Sequence, residues 1–225
     1  MSAALLSETL QSAVAPIWRR ELSHPFVRGL ADSTLDIECF RFYLRQDYLF
    51  LIDYCQVFAL AAAKAPDLET IGTFSTLLHD TLHTEMQLHR DYCARLGVSR
   101  EELERTTPAP VTHAYTRHLL DVAWSGSLAE IAAAVLPCQL GYAEIGTTLA
   151  RGDQKWQTSR YAEWIRTYAS PEFVTSAEKL RGLLDRLTMQ WPEQMCKPLH
   201  DSFLTSSRYE YLFWEMAWTQ AGWPV

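Results

Sequence analysis

Capping signals divide this chain into helices and leave little room for anything else. "SREE" at 99–102 and "SLAE" at 127–130 each place a serine at a helix start and a glutamate three residues on. That pairing satisfies two otherwise orphaned backbone amides at once. "SPEF" at 170–173 sets a capping serine before a proline in the first turn, where a missing N–H costs nothing. "SHPF" at 23–26 ends a first amphipathic segment, and "TTPAP" at 106–110 reads as a rigid connector. Ser33 or Thr34 is expected to cap a long apolar-periodic run ending near Pro66, and Asp67 to start a further run ending at Gly97. Pro192 and Pro198 are expected to flank a break before the last helix. No period-2 strand pattern, hairpin dipeptide or repeat occurs, and only 9 glycines are present, too few for a chain of tight β-turns. The expectation is an all-α bundle of about seven to nine helices.

At 225 residues the chain suits one domain, 1–225, with a proper core. A formal charge of −7 offers no broad basic surface, so no nucleic-acid partner is expected. The apolar run "LFLIDYCQVFALAAA" is interrupted by Asp53, and no membrane span is expected. The amino terminus has no basic segment and carries Glu8 in its apolar stretch, unlike a signal peptide. Five cysteines, odd in number and without a C-x-x-C pair, fit neither a disulfide framework nor structural zinc, and point to the cytoplasm.

Three stretches carry residues suited to chemistry. In "LPCQLGY", 136–142, Pro137 interrupts an alanine-rich helical run. An interior proline costs roughly 3 kcal/mol, so the helix is expected to bend or restart there. A restarted helix would aim amides at Cys138 and favour its thiolate; the plain alternative is a structural cysteine beside Tyr142. In "RQDYLFLIDY", 45–54, Asp47 shares a stripe with Phe50, although helical phase alone leaves open whether Asp47 or Asp53 points inward. In "SSRYEYLFWEMAW", 206–218, Glu210 precedes Phe213 and Trp214 by one turn, while Glu215 is rotated away. A carboxyl in an aromatic pocket holds its proton towards neutral pH. "HDTLHTEMQLH", 79–89, spaces His79 with His83 and Glu85 with His89 by four, a spacing that could bind metal. The last helix offers no histidine after His200 to complete such a site, so these are read as a polar face with one or two structural histidines and no metal.

Together "QDYLFL", "LPCQLGYAEIG", "YAEWIRTYAS" and "SSRYEYLFWEMAW", in order and suitably spaced, resemble the TenA / thiaminase II family in its cysteine-containing branch. The resemblance implies a heme-oxygenase-like helical fold without cofactor, and hydrolysis of an aminopyrimidine in thiamin salvage. The substrate implied is 4-amino-5-aminomethyl-2-methylpyrimidine, thiamin or a formylated relative, and the product the hydroxymethyl pyrimidine. It also implies Cys138 as nucleophile, Glu210 as acid/base, Asp47 as the carboxylate that binds pyrimidine nitrogens, and Tyr115, Tyr142, Tyr168 and Phe213 as pocket aromatics. Phe50 stands where some members carry tyrosine. A homotetramer is implied as the assembly. Two other readings remain open from sequence: an oxidase resembling pyrroloquinoline-quinone synthase-like proteins on the same fold, and a non-catalytic regulatory pyrimidine-binding protein.

Overall fold

The computed structural model describes residues 5–224, all of whose regular structure is helical. In chain order the helices are α1 (Leu6–Leu22), α2 (Pro25–Asp32), α3 (Ile37–Lys64), α4 (Leu68–Asp80), α5 (Met86–Arg95), α6 (Arg100–Arg105), α7 (Pro110–Ser125), α8 (Leu128–Arg151), α9 (Ala162–Tyr168), α10 (Pro171–Thr188) and α11 (Lys197–Thr219). A π-helical turn, Thr81–Glu85, joins α4 to α5, so Leu68–Arg95 is one continuous rod.

Both capping boxes form: Ser99 with Glu102 starts α6, and Ser127 with Glu130 starts α8. His24 caps α2 through its ring nitrogen, which accepts from the Phe26 amide, and Ser170 caps α10 with Pro171 in the first turn. The cap of α3 is Asp36, whose carboxylate accepts from the Glu38 amide. Ser33 instead ends α2 in the left-handed region at φ 60°, and Thr34 and Leu35 then turn back to donate to the Gly29 carbonyl. The real cap therefore lies two or three residues beyond the expected one. Pro198 lies inside the first turn of α11, where its missing donor is harmless.

The centre of the bundle is α8. It packs against α11, α10, α9, α7 and α3, and 83% of its apolar 18-residue window is buried inside the fold. That helix is long and apolar enough to cross a membrane by composition alone, and here it forms the protein core. Pro137 neither breaks nor restarts it: α8 runs unbroken from Leu128 to Arg151. Packing on nearly every face outweighs the local proline cost, which is how tertiary context overrides propensity.

Small residues let α8 approach its neighbours. A Cβ on Gly146 would stand 2.5 Å from the carbonyl carbon of Tyr168 and 2.8 Å from the Ala169 nitrogen. Both are backbone atoms and cannot yield as a side chain would. Gly146→Ala should therefore destabilise the protein by about 1–3 kcal/mol, the usual cost of overpacking. Thermal unfolding should show a loss of several degrees in Tm; an unchanged Tm would mean that α8 and α9 can separate freely.

Candidate active site

Four helices meet around one small cavity of about 10 Å³. Its wall comprises Asp47 and Phe50 from α3, Tyr115 from α7, Cys138 and Tyr142 from α8, and Glu210 and Phe213 from α11. Gln46 fixes the α3–α7 side of this arrangement: its carbonyl oxygen accepts from the Ala109 amide and the Thr112 hydroxyl, each at 2.8 Å. Its amide nitrogen donates to the Thr107 carbonyl at 3.2 Å. The connector before α7 is thus held by the residue next to Asp47.

Asp47 is the inward carboxylate; Asp53 faces outward and pairs with Arg117 at 2.7 Å. Asp47 Oδ2 accepts from the Tyr43 hydroxyl at 3.0 Å and lies 2.5 Å from His89 Nε2. The His89 contact has the distance of an ion pair, while its N–H direction falls outside hydrogen-bond geometry. His89 Nδ1 donates to the Glu85 carbonyl at 2.8 Å. Burial alone would push the His89 ring down, but the Asp47 charge and these contacts outweigh it and raise its pKa above the ordinary value. The Tyr43 hydroxyl also meets that of Tyr142 at 3.2 Å and accepts from Trp164 Nε1 at 3.2 Å.

Glu210 is 4% exposed and accepts a 2.6 Å hydrogen bond from the Tyr115 hydroxyl. Burial pushes its pKa up to about 8, against the downward pull of the Tyr115 bond and with a further rise from the Asp47 charge. Glu210 accordingly carries a proton at neutral pH. Cys138 also differs from expectation. It sits mid-helix with no amides aimed at its sulfur, and burial, then the charges of Glu210, Glu85 and Asp47, push its thiol well above the ordinary value. The resting form is the thiol, and any attack by sulfur has to be coupled to removal of that proton.

Tyr168 is not on the cavity wall. It is fully buried one layer out, edge-on to Tyr142 at 4.8 Å, and supports that ring from behind. Phe50 packs on Tyr115 at 5.0 Å and on Phe213 at 5.9 Å and brings no hydroxyl to the site. Among the histidines His79 and His83 lie 4.6 Å apart with tilted rings on the exposed side of the rod. Among the described residues no three His, Cys, Asp or Glu side chains gather in a metal-binding group. Sequence reasoning missed Tyr43, Trp164 and the inward role of His89. The four-residue spacing of Glu85 and His89 was the one available signal, and the π turn just before it breaks the phase that would have placed them.

Comparison with known proteins identifies the family. Residues 11–220 match the model of the TENA/THI-4/PQQC family. A protein of Halalkalibacterium halodurans named aminopyrimidine aminohydrolase is 46% identical over 215 residues, covering 96% of each chain. A crystal structure from Silicibacter, described as a TenA family transcription regulator, superposes with a TM-score of 0.86 at 32% identity, covering 94% of this chain and 96% of that one. Heme oxygenase 2 of Chlamydomonas reinhardtii superposes with a TM-score of 0.68 over 94% of this chain and 97% of that one; at 18% identity it shows the heme-oxygenase-like fold alone. With the match spanning nearly the whole sequence, the chain belongs to the TENA/THI-4/PQQC family.

Proposed function

We propose that this cavity hydrolyses the bond between an aminopyrimidine methylene carbon and its nitrogen leaving group. The substrate is 4-amino-5-aminomethyl-2-methylpyrimidine or thiamin, and the pyrimidine product is its hydroxymethyl form. The observation that carries this reading is the meeting of the Cys138 thiol, a protonated Glu210 and Asp47 on one aromatic wall. The aminopyrimidine aminohydrolase name of the Halalkalibacterium relative, which this chain matches over almost its full length, supports the same substrate class.

In this reading the residues divide the work by chemistry. Asp47, held by Tyr43 and His89, accepts from the N–H donors of the aminopyrimidine. Phe213, Phe50, Tyr115 and Tyr142 enclose the ring, with Tyr168 backing Tyr142. Glu210 gives its proton to a ring nitrogen, which makes the ring carbon beside it electrophilic. As the Cys138 sulfur bonds to that carbon, the thiol proton passes to the Glu210 carboxylate. Ring electrons then expel the leaving nitrogen from the methylene carbon with its bonding pair. Water adds to that carbon and releases one proton. The C–S bond then breaks, and the ring proton returns by way of Glu210 to the sulfur. For an aminomethyl substrate with a protonated amine the balance is R–CH₂–NH₃⁺ plus water giving R–CH₂–OH plus ammonium. A soft nucleophile and a proton carrier tuned near working pH are what such a cycle needs.

The proposed working unit is the whole chain, 1–225, assembled as a homotetramer in the cytoplasm with no nucleic-acid or membrane partner.

Cys138→Ser should abolish turnover while product binding stays within about tenfold of wild type, roughly 1.4 kcal/mol. Serine is nearly isosteric but a weak nucleophile without an activating base. Cys55→Ser and Cys93→Ser serve as controls and should keep the catalytic rate. A serine variant that turns over normally, or loses binding with activity, makes Cys138 structural. Because its thiol is held up by burial and nearby carboxylates, Cys138 of the free enzyme should react slowly with iodoacetamide at pH 7 and faster as pH rises past 9. A rate already level below pH 7 would mean a resting thiolate.

A further inference from the structure

Behind the cavity lies a carboxyl that the chemistry above does not use. Glu21, in the last turn of α1, is 2% exposed. Its Oε1 is buried without a hydrogen-bond partner among the described residues, and its Oε2 lies 3.9 Å from where a Cβ on Gly141 of α8 would stand. Trp18 Nε1, one turn earlier on α1, and Ser207 Oγ, one turn before Glu210 on α11, are likewise buried and unpartnered. The two helices are in register here: the Trp18 and Phe203 rings are 6.2 Å apart, and Arg20 donates to the Tyr211 hydroxyl at 3.1 Å. Glu21 therefore faces the stretch of α11 that carries Ser207 and Glu210. On α8, Glu144 lies one turn beyond Gly141 and reaches solvent. Buried polar atoms without protein partners are where proteins hold internal water.

We infer that Glu21 is a positioning residue for proton traffic, exchanging protons with Glu210 through internal water held by Trp18 and Ser207 and passing them to Glu144 at the surface. This rests on the hydrolase reading. Addition of water to the methylene carbon forms a C–O bond and frees one proton while Glu210 is still needed for the ring nitrogen and the sulfur. Glu21 accepts that proton from the Glu210 side and gives up its own towards Glu144 and bulk water, so no charge stays in the core. Burial, then the charges of Glu210 and Glu144, push its pKa up to about 9. Among the described residues no basic group offsets them: Arg19 and Arg20 are exposed, Arg20 is engaged with Tyr211, and His24 is bound to Glu215 at 3.1 Å.

The test compares wild type, Glu21→Gln, Ser207→Ala and the exposed control Glu8→Gln. Glu21→Gln should lower kcat about tenfold, less than the roughly 10²–10⁴ of a direct proton carrier, with KM within about twofold. The alkaline limb of the kcat profile should fall with two coupled ionisations in wild type and one in Glu21→Gln. Ser207→Ala should lie between them, and Glu8→Gln should match wild type. A second readout needs no turnover. Folded Glu21 keeps a proton that the unfolded chain releases above about 4.5, so wild type should lose stability as pH rises from there towards about 9. Glu21→Gln should lose the Glu21 share and keep a shallower slope, because Glu85 and Glu210 also hold protons that the unfolded chain releases. An active wild type whose rate profile superimposes on that of Glu21→Gln overturns this role alone, and so does an unchanged stability slope. A wild type without hydrolysis overturns the function and this role together.

Discussion

Burying four carboxyl groups in one helical core is the constraint on which the rest of this structure depends. Among the described residues Glu21, Asp47, Glu85 and Glu210 are all less than a tenth exposed, and an isolated buried carboxylate is too costly to persist. The structure resolves this unevenly. Asp47 is offset by His89 and by the Tyr43 hydroxyl. Glu85 and Glu210 are driven towards their neutral forms, with pKa values pushed up to about 7 and about 8 by burial first. One cavity thus holds a compensated anion beside a neutral acid, two carboxyls separated in role by surroundings alone.

The same constraint explains Cys138. Surrounding a thiol with carboxyl groups is the opposite of the electropositive setting that stabilises thiolate. What lines the cavity with it instead is the buried carboxyl of Glu210, its pKa pushed up to about 8; in the proposed cycle that group takes the thiol proton, so that charge need form only when substrate is present. The unbroken course of α8 makes this possible. Gly146 admits α9 at close range, and Cys138 and Tyr142, four residues apart, project into the cavity from one face.

Most helices were legible because their start signals are local: a serine and a glutamate three apart act the same in any context. The misplaced cap of α3 shows the limit. Ser33, Thr34 and Asp36 are all capping residues, and the choice among them is set by the left-handed turn at Ser33, a tertiary matter. Pro137 reads as a break by propensity, and only the packing around α8 reverses that. At the site, Glu210 stood out on an aromatic face and Cys138 through the neighbouring Pro137, while helical phase left Asp47 and Asp53 tied until packing turned Asp47 inward. Tyr168 was placed one layer too near, because resemblance of sequence does not distinguish a wall from its support. His89 was hidden by the π turn, which shifts the phase of everything after Thr81. Glu21 gave no signal beyond lying three residues after Trp18 on a half-buried helix.

The most direct test of the account is the pH dependence of kcat/KM for aminomethyl pyrimidine hydrolysis in wild type and Glu210→Gln. A protonated Glu210 is the working form, so activity should hold through neutral pH and fall as pH rises past about 8, where the buried carboxyl ionises. Glu210→Gln should lack that limb and retain a rate lower by about 10²–10⁴. A limb in the ordinary carboxylate range, or a glutamine variant with the wild-type rate and profile, would contradict the account.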